Sequence, residues 1–111
     1  MTKVTFSLQE DKILAVDILG HAGYAEEGED IVCAAISSAA MLTTVLLEDI
    51  QKIPVDIEED EPEARIYIGL PKDSAERGQE ALQALRHYFK VLENDFSDFI
   101  NVMEVQADAE D

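Results

Sequence analysis

The chain is expected to fold as one α+β domain, with a mixed sheet packed against two helices in the order ββαββαβ. Three observations lead there. Apolar residues alternate with polar ones at Val4, Phe6 and Leu8, and again at Ile66, Ile68 and Leu70, which is the period of a half-buried strand. Leu82, Leu85, Phe89 and Leu92 instead recur at helical spacing. The 111 residues, 47% of them apolar, suit a single core of modest size. Strand pairs alternating with helices make a layered arrangement.

Taken in order, residues 4–8 form a first strand, residues 9–12 a polar turn and residues 13–19 a second strand, together a hairpin. Gly20 ends it. Residues 20–30 form a loop with three glycines, Gly20, Gly23 and Gly28, and four acids. Asp30 is placed to cap the helix that follows, its carboxylate accepting from an N–H two or three residues on. That helix is expected to run to about Gln51 and to stop ahead of Pro54. It is apolar almost all the way round, which predicts a buried core helix sandwiched between other elements. Its apolar run, residues 31–47, is broken by serines and threonines and falls short of the roughly 20 residues a membrane span needs. Its flanks are acidic, without the Lys/Arg cluster of a cytoplasmic membrane face.

A second hairpin is expected from residues 55–57 and 64–70, around an acidic turn at 58–63 and closed by Pro71. Asp73 and Glu76 have the spacing of a capping box for the second helix, which should end near Glu93. Residues 100–105 make the last strand. The domain thus spans residues 1–105, and residues 106–111 form an acidic flexible tail.

The net charge of −17 disfavours nucleic acid and anionic membrane surfaces and is compatible with a basic partner. Solubility alone also accounts for it. One cysteine forms no internal disulfide, and no signal-peptide pattern opens the chain, so a reducing cytoplasm is the expected compartment. One cysteine and two distant histidines, His21 and His87, lack zinc-ligand spacing, and the acid clusters lack a calcium-loop pattern. No metal and no cofactor is expected.

The residues that carry chemistry lie where the loop meets the first helix. Cys33 is the third residue after the Asp30 cap. Unpaired N–H groups and the helix dipole at such a position favour a thiolate. His21, in a glycine-flanked turn, can fold back as its base. Asp30, Cys33 and Ser37, at i, i+3 and i+7, share one helix face. Such a set could run acyl transfer, with the helix N-terminal amides holding the oxyanion. Packing alone also explains a lone cysteine in an apolar helix, and the serines serve equally as small residues for close helix contact. Asp30 is either a cap or an orienter of His21.

At Gly20-His21-Ala22-Gly23-Tyr24 and Asp30-Ile31-Val32-Cys33-Ala34-Ala35-Ile36-Ser37 the chain resembles the ribosomal-processing cysteine protease (Prp) family of bacteria. The resemblance covers essentially the whole chain, element order included. It implies a cysteine endopeptidase that removes an N-terminal extension from a large-subunit ribosomal protein, cutting after paired phenylalanines. Its nucleophile would be Cys33 and its base His21, with Asp30 and Ser37 in support. It also implies a homodimer and a mobile loop over the site. The competing readings are a non-enzymatic acidic module that binds a basic ribosomal partner and a thiol sensor oxidised at Cys33.

Overall fold

The structure, a computed structural model, describes residues 1–107. Two strands, β1 (Thr2–Gln9) and β2 (Lys12–Leu19), form the first hairpin. Helix α1 (Ile31–Thr44) continues through a π-helical turn, Val45–Ile50. A second hairpin follows, β3 (Asp56–Asp60) and β4 (Arg65–Gly69). A 3₁₀ turn, Lys72–Ser74, leads into α2 (Ala75–Asp95), and β5 (Ile100–Gln106) completes the sheet. The sheet order is β3-β4-β2-β1-β5, antiparallel except that β5 runs parallel to β1. The expected ββαββαβ order and mixed sheet are both present.

Both helices belong to one layer over one face of the sheet. Alternation along β1 sends Val4, Phe6 and Leu8 to that face, and the register places Ile18 and Val16 beside Val4 and Phe6. The α2 stripe of Leu82, Leu85, Phe89 and Leu92 is buried over them, and the Phe6 and Phe89 rings stand 6.3 Å apart. Two polar side chains stitch the layers together. Gln79 of α2 accepts from the Ile13 N–H (2.9 Å) and donates to the Ile13 carbonyl (2.7 Å), beside the irregularity in the β1–β2 register. Glu93 accepts from the Val102 N–H of edge strand β5 at 2.7 Å.

Five expectations need correction. The first helix is not sandwiched. Val32, Ile36, Ala40 and Leu47 are buried, but Met41, Leu42 and Ile50 are 67%, 70% and 68% exposed. A one-sided helix layer leaves the outer face of α1 with nothing to cover it. At 20 residues, Ile31–Ile50 is also long and apolar enough to cross a membrane, unlike the shorter run read from the sequence, though its inner face is committed to the domain core. The π-helical turn begins where Thr43 and Thr44 hydroxyls donate back to the Ala39 and Met41 carbonyls, offering the backbone a rival to its own ladder.

The acids at 58–60 are not in a turn. They extend β3, where an edge strand tolerates charge because one side is open to water. The capping box at Asp73 and Glu76 does not form. The chain enters α2 through the 3₁₀ turn, in which the Ala75 N–H bonds to the Lys72 carbonyl, and Glu76 pairs with Lys12 at 2.8 Å. Finally, Gln106 belongs to β5 and the Ala107 N–H donates to the Leu8 carbonyl, so the domain runs past 105. The rest of the expected tail, residues 108–111, lies outside the described residues.

Replacing Gln79 by Leu leaves both Ile13 backbone groups without their partner. Each half-buried unsatisfied group costs about 1–3 kcal/mol. Urea denaturation should show a loss of about 2–6 kcal/mol for the two groups together. An unchanged midpoint would mean that water replaces the amide at no cost.

Candidate active site

The loop between β2 and α1 is pinned at both ends. At its start, the Gly20 carbonyl accepts from the Thr2 hydroxyl at 2.9 Å, and the Gly20 N–H donates to the Ala64 carbonyl at 2.9 Å. Gly20 has φ +95°, a conformation a side chain resists, and a Cβ there would stand 3.1 Å from the Met1 carbonyl oxygen. Ala22 is buried. His21, held between these two anchors, is exposed and faces the start of α1.

At its far end, Asp30 caps α1. One carboxylate oxygen accepts from the Cys33 N–H at 2.9 Å, and the other accepts from Tyr24 (3.0 Å) and Ala25 (3.4 Å). Desolvation pushes the Asp30 carboxyl up, but the N–H groups of Cys33, Tyr24, Ala25 and Val32 outweigh it and hold the carboxyl below its usual value. The choice left open by the sequence is resolved on the side of the cap, since both oxygens face backbone amides. The same bonds engage the Cys33 N–H, which is one of the helix-end amides expected to face an oxyanion.

Cys33 is half-buried on the first turn of α1 and free of any disulfide. It sits where two clefts meet. One, of about 450 Å³, is lined by His21, Cys33, Ser37, Gly20 and Thr2, and on its far side by Glu59, Glu61 and Arg65. The other, of about 530 Å³, is lined by His21, Cys33, Ser37, Gly23, Gly28 and Asp30. Of the residues singled out in the sequence, His21, Cys33 and Ser37 line both. Asp30 borders only the second, as a scaffold for the loop and the helix end.

Two contributions escaped the sequence reading. Glu27 lines both clefts, and the β3–β4 hairpin forms a wall of the first. The acid density of the hairpin was the visible signal, but only the sheet order brings it beside the helix start. The loop is also better anchored than its composition indicates. Tyr24 stands edge-on to Phe96 (5.7 Å) and Phe99 (5.1 Å), at the far end of α2. His87 is exposed on α2, away from the clefts. Among the described residues no group of His, Cys, Asp and Glu has the makings of a metal site.

A thiol and an imidazole at the junction of two peptide-sized clefts have the components of a cysteine hydrolase. The family model for cysteine protease Prp matches residues 1–101. The chain belongs to the cysteine protease Prp family. It is similar to the ribosomal processing cysteine protease Prp of Bacillus subtilis, at 26% identity over 92% of this chain and 96% of that one. Among solved structures, the ribosomal processing protease Prp of Staphylococcus aureus with a covalently linked product peptide superposes with a TM-score of 0.88, at 23% identity over 95% of this chain and all of that one. A Streptococcus mutans protein superposes at 0.84, with 28% identity over 96% of each chain. The family makes this chain a cysteine protease and sets aside the non-enzymatic acidic module.

Asp30→Ala removes the cap and the loop latch together. Losing a cap costs about 1 kcal/mol. Because the folded carboxyl lies below its ordinary value of 3.8, its contribution is complete above that value and fades as pH falls through the lower folded one. Parent and variant should therefore differ in denaturant midpoint at neutral pH and converge in strong acid. The Tyr24 and Ala25 amides should exchange faster in the variant. Equal exchange at those amides would show that the loop is held by its aromatic contact alone.

Proposed function

We propose that this Prp-family protease removes the N-terminal extension of a bacterial large-subunit ribosomal protein, cutting after paired phenylalanines, with Cys33 as nucleophile and His21 as general base and acid. The observation that carries the reading is the convergence of His21, Cys33 and Ser37 on both clefts. The Bacillus subtilis relative, a ribosomal processing protease, supplies the substrate class. The charge of −17 complements a basic substrate.

In the proposed reaction His21 takes the thiol proton as the Cys33 sulfur attacks the scissile carbonyl carbon. The tetrahedral intermediate collapses when His21 returns that proton to the leaving amine, and a thioester on Cys33 remains. Water then attacks the thioester with His21 again as base, releasing the acid and restoring the thiol. The Ser37 hydroxyl, one turn beyond Cys33 and on the same cleft wall, is a donor for the developing oxyanion now that the Cys33 amide is engaged. Asp30 supports the pair by fixing the helix end and the loop. Gly20, Gly23 and Gly28, all at positive φ, are the pivots on which that loop opens for substrate. The reaction needs no metal or cofactor, and it requires a reduced thiol, as in the cytoplasm.

The working form is proposed to be a symmetric homodimer. Met41, Leu42, Leu46 and Ile50 of α1 and its π-helical turn, with Tyr88 and Val91 of α2, leave a wide apolar face open. A groove of about 520 Å³ runs between the helices there, lined by Ala39, Leu42, Leu46, Ala84 and Tyr88. At about 100° per residue Leu42 and Leu46 lie roughly half a turn round the helix from Cys33 and Ser37, while Met41, four residues past Ser37, lies toward their side. Pairing across this face leaves both active sites open, and each keeps its own His21 and Cys33.

Cys33→Ala should abolish cleavage of a peptide carrying a Phe-Phe junction while leaving the fold intact, and Cys33→Ser should be nearly inactive. His21→Ala should lose about 10²–10⁴ in rate at neutral pH. Turnover retained by purified Cys33→Ala removes the nucleophile assignment. Activity of His21→Ala within a few fold of the parent removes the base.

Light scattering at micromolar concentration should give twice the chain mass of 12.3 kDa. A replacement of Leu42 by Glu, in the middle of the apolar face, should return the mass to one chain. A parent already at 12.3 kDa refutes the dimer.

A further inference from the structure

Thr2 is a polar side chain at a core position. Alternation along β1 puts it on the face of Val4, Phe6 and Leu8, beside Ile100 of β5, and it is 1% exposed. A hydroxyl buried there loses its water and needs a partner. The buried polar side chains among the described residues are Thr2, Thr43 and Ser74. Thr43 donates within its own helix, to the Ala39 carbonyl, and Ser74 lies at the entry to α2. Thr2 instead reaches a segment eighteen residues away, its hydroxyl donating to the Gly20 carbonyl at 2.9 Å.

That carbonyl belongs to the peptide unit that carries His21. A peptide unit is planar, so the Gly20 oxygen, the His21 nitrogen and the His21 Cα move as one. The preceding unit is held as well, the Gly20 N–H donating to the Ala64 carbonyl at 2.9 Å. A glycine at φ +95° pivots readily unless both of its peptide planes are held, and here both are. The same strand end also serves the other side of the histidine. The Thr2 N–H donates to the Phe99 carbonyl (2.9 Å), and the Phe99 ring stands edge-on to Tyr24 (5.1 Å). Gly20 and Tyr24 are thus both tied to the Thr2–Phe99 pair, with Ala22 buried between them. His21 is left with little beyond its own side-chain rotations, on a cleft that it shares with Cys33.

A threonine in a strand has an ordinary explanation, since β-branched residues favour strands. Valine would meet that need equally and would suit the core face better. The hydroxyl is the part that strand propensity leaves unexplained.

Resting on the protease reading above, we propose that Thr2 is a positioning residue. By holding the Gly20 carbonyl, its buried hydroxyl sets the direction from which the His21 imidazole meets Cys33. Thr2 takes no part in bond cleavage.

The test compares Thr2→Ser, which keeps the hydroxyl and loses a methyl, with Thr2→Val, which keeps the branched shape and loses the hydroxyl. A role in packing alone ranks the two by their melting, whereas positioning ranks them by the hydroxyl. In single-turnover cleavage of a Phe-Phe peptide, Thr2→Ser should stay within about threefold of the parent. Thr2→Val should be about ten- to hundredfold slower, the range that a small misplacement of a catalytic group costs. The apparent KM should stay within about twofold in both, because the substrate contacts are untouched. In a His21→Ala background Thr2→Val should add less than about twofold, because the group it positions is gone. The ring carbon–proton NMR resonance of His21 should shift or broaden in Thr2→Val and keep its parent position in Thr2→Ser. Circular dichroism checks the fold, and Thr2→Ala, which also lacks the hydroxyl, replaces Thr2→Val if that variant does not fold.

Thr2→Val cleaving as fast as Thr2→Ser overturns the proposal. So does an unmoved His21 resonance in Thr2→Val, or a rate loss that persists in full without His21. Where His21→Ala itself cleaves like the parent, the protease reading loses its base, and the resonance alone decides whether Thr2 places the ring.

Discussion

The active site depends on the carboxylate of Asp30. One of its oxygens holds the Cys33 amide and the other holds the amides of Tyr24 and Ala25. A helix cap fixes where a helix starts, and here the start decides where the thiol stands. The loop bonds fix the return path of the chain that carries His21. One side chain thus sets the relation between two residues twelve positions apart, binding Cys33 through its amide and His21 only through the path of the loop. The arrangement has a chemical consequence. The Cys33 N–H is used for architecture, and under the proposed mechanism a side chain on the same cleft wall, Ser37, is left to donate to the oxyanion.

A second constraint is the thinness of the fold. Five strands and two helices in a single helix layer cannot enclose a helix that is apolar on every side. The face of α1 toward the sheet is filled by Val32, Ile36, Ala40 and Leu47, and the edge beside the loop carries Cys33 and Ser37. What remains is the outer face with Met41, Leu42 and Ile50. In the homodimer proposed above, this is the apolar area that pairing would cover. The composition of α1 is explained if one helix serves a core, a catalytic edge and an assembly face at once.

This division of labour explains what could be read from the sequence and what could not. Strand alternation at Val4, Phe6 and Leu8 and the stripe at Leu82, Leu85, Phe89 and Leu92 are local, and they lie where their periods place them. The start of α1 was equally legible, because an Asp cap acts within three residues. The burial of α1 was not, since a helix apolar all round carries no record of which face meets the core. Glu58, Glu59 and Asp60 were read as a turn because charge disfavours buried strands, but an edge strand is exempt from that rule. The Asp73–Glu76 spacing fits a capping box, yet the 3₁₀ turn after Pro71 satisfies the helix start with backbone alone. The wall that the second hairpin adds to the cleft depends on β4 pairing with β2, which no short motif encodes.

The acidity of the chain has the same spatial logic. Eight Lys and Arg residues face twenty-five Asp and Glu, so most carboxylates have no cation to meet. Spread evenly, such an excess would repel itself throughout the fold. Six of the eight cations are instead placed on the sheet and along α2, where Arg65 gathers Asp17 and Glu58 and where Arg86 and Lys90 meet Glu104. Those ties balance charge over the strands and leave the loop and the hairpin turn unbalanced beside the cleft. On the opposite side of α1, the groove toward α2 is lined mostly by apolar groups, with Ser38, Thr43 and Glu80 among them. The two sides of one helix therefore present opposite chemistries, a charged opening beside the thiol and an apolar face behind it.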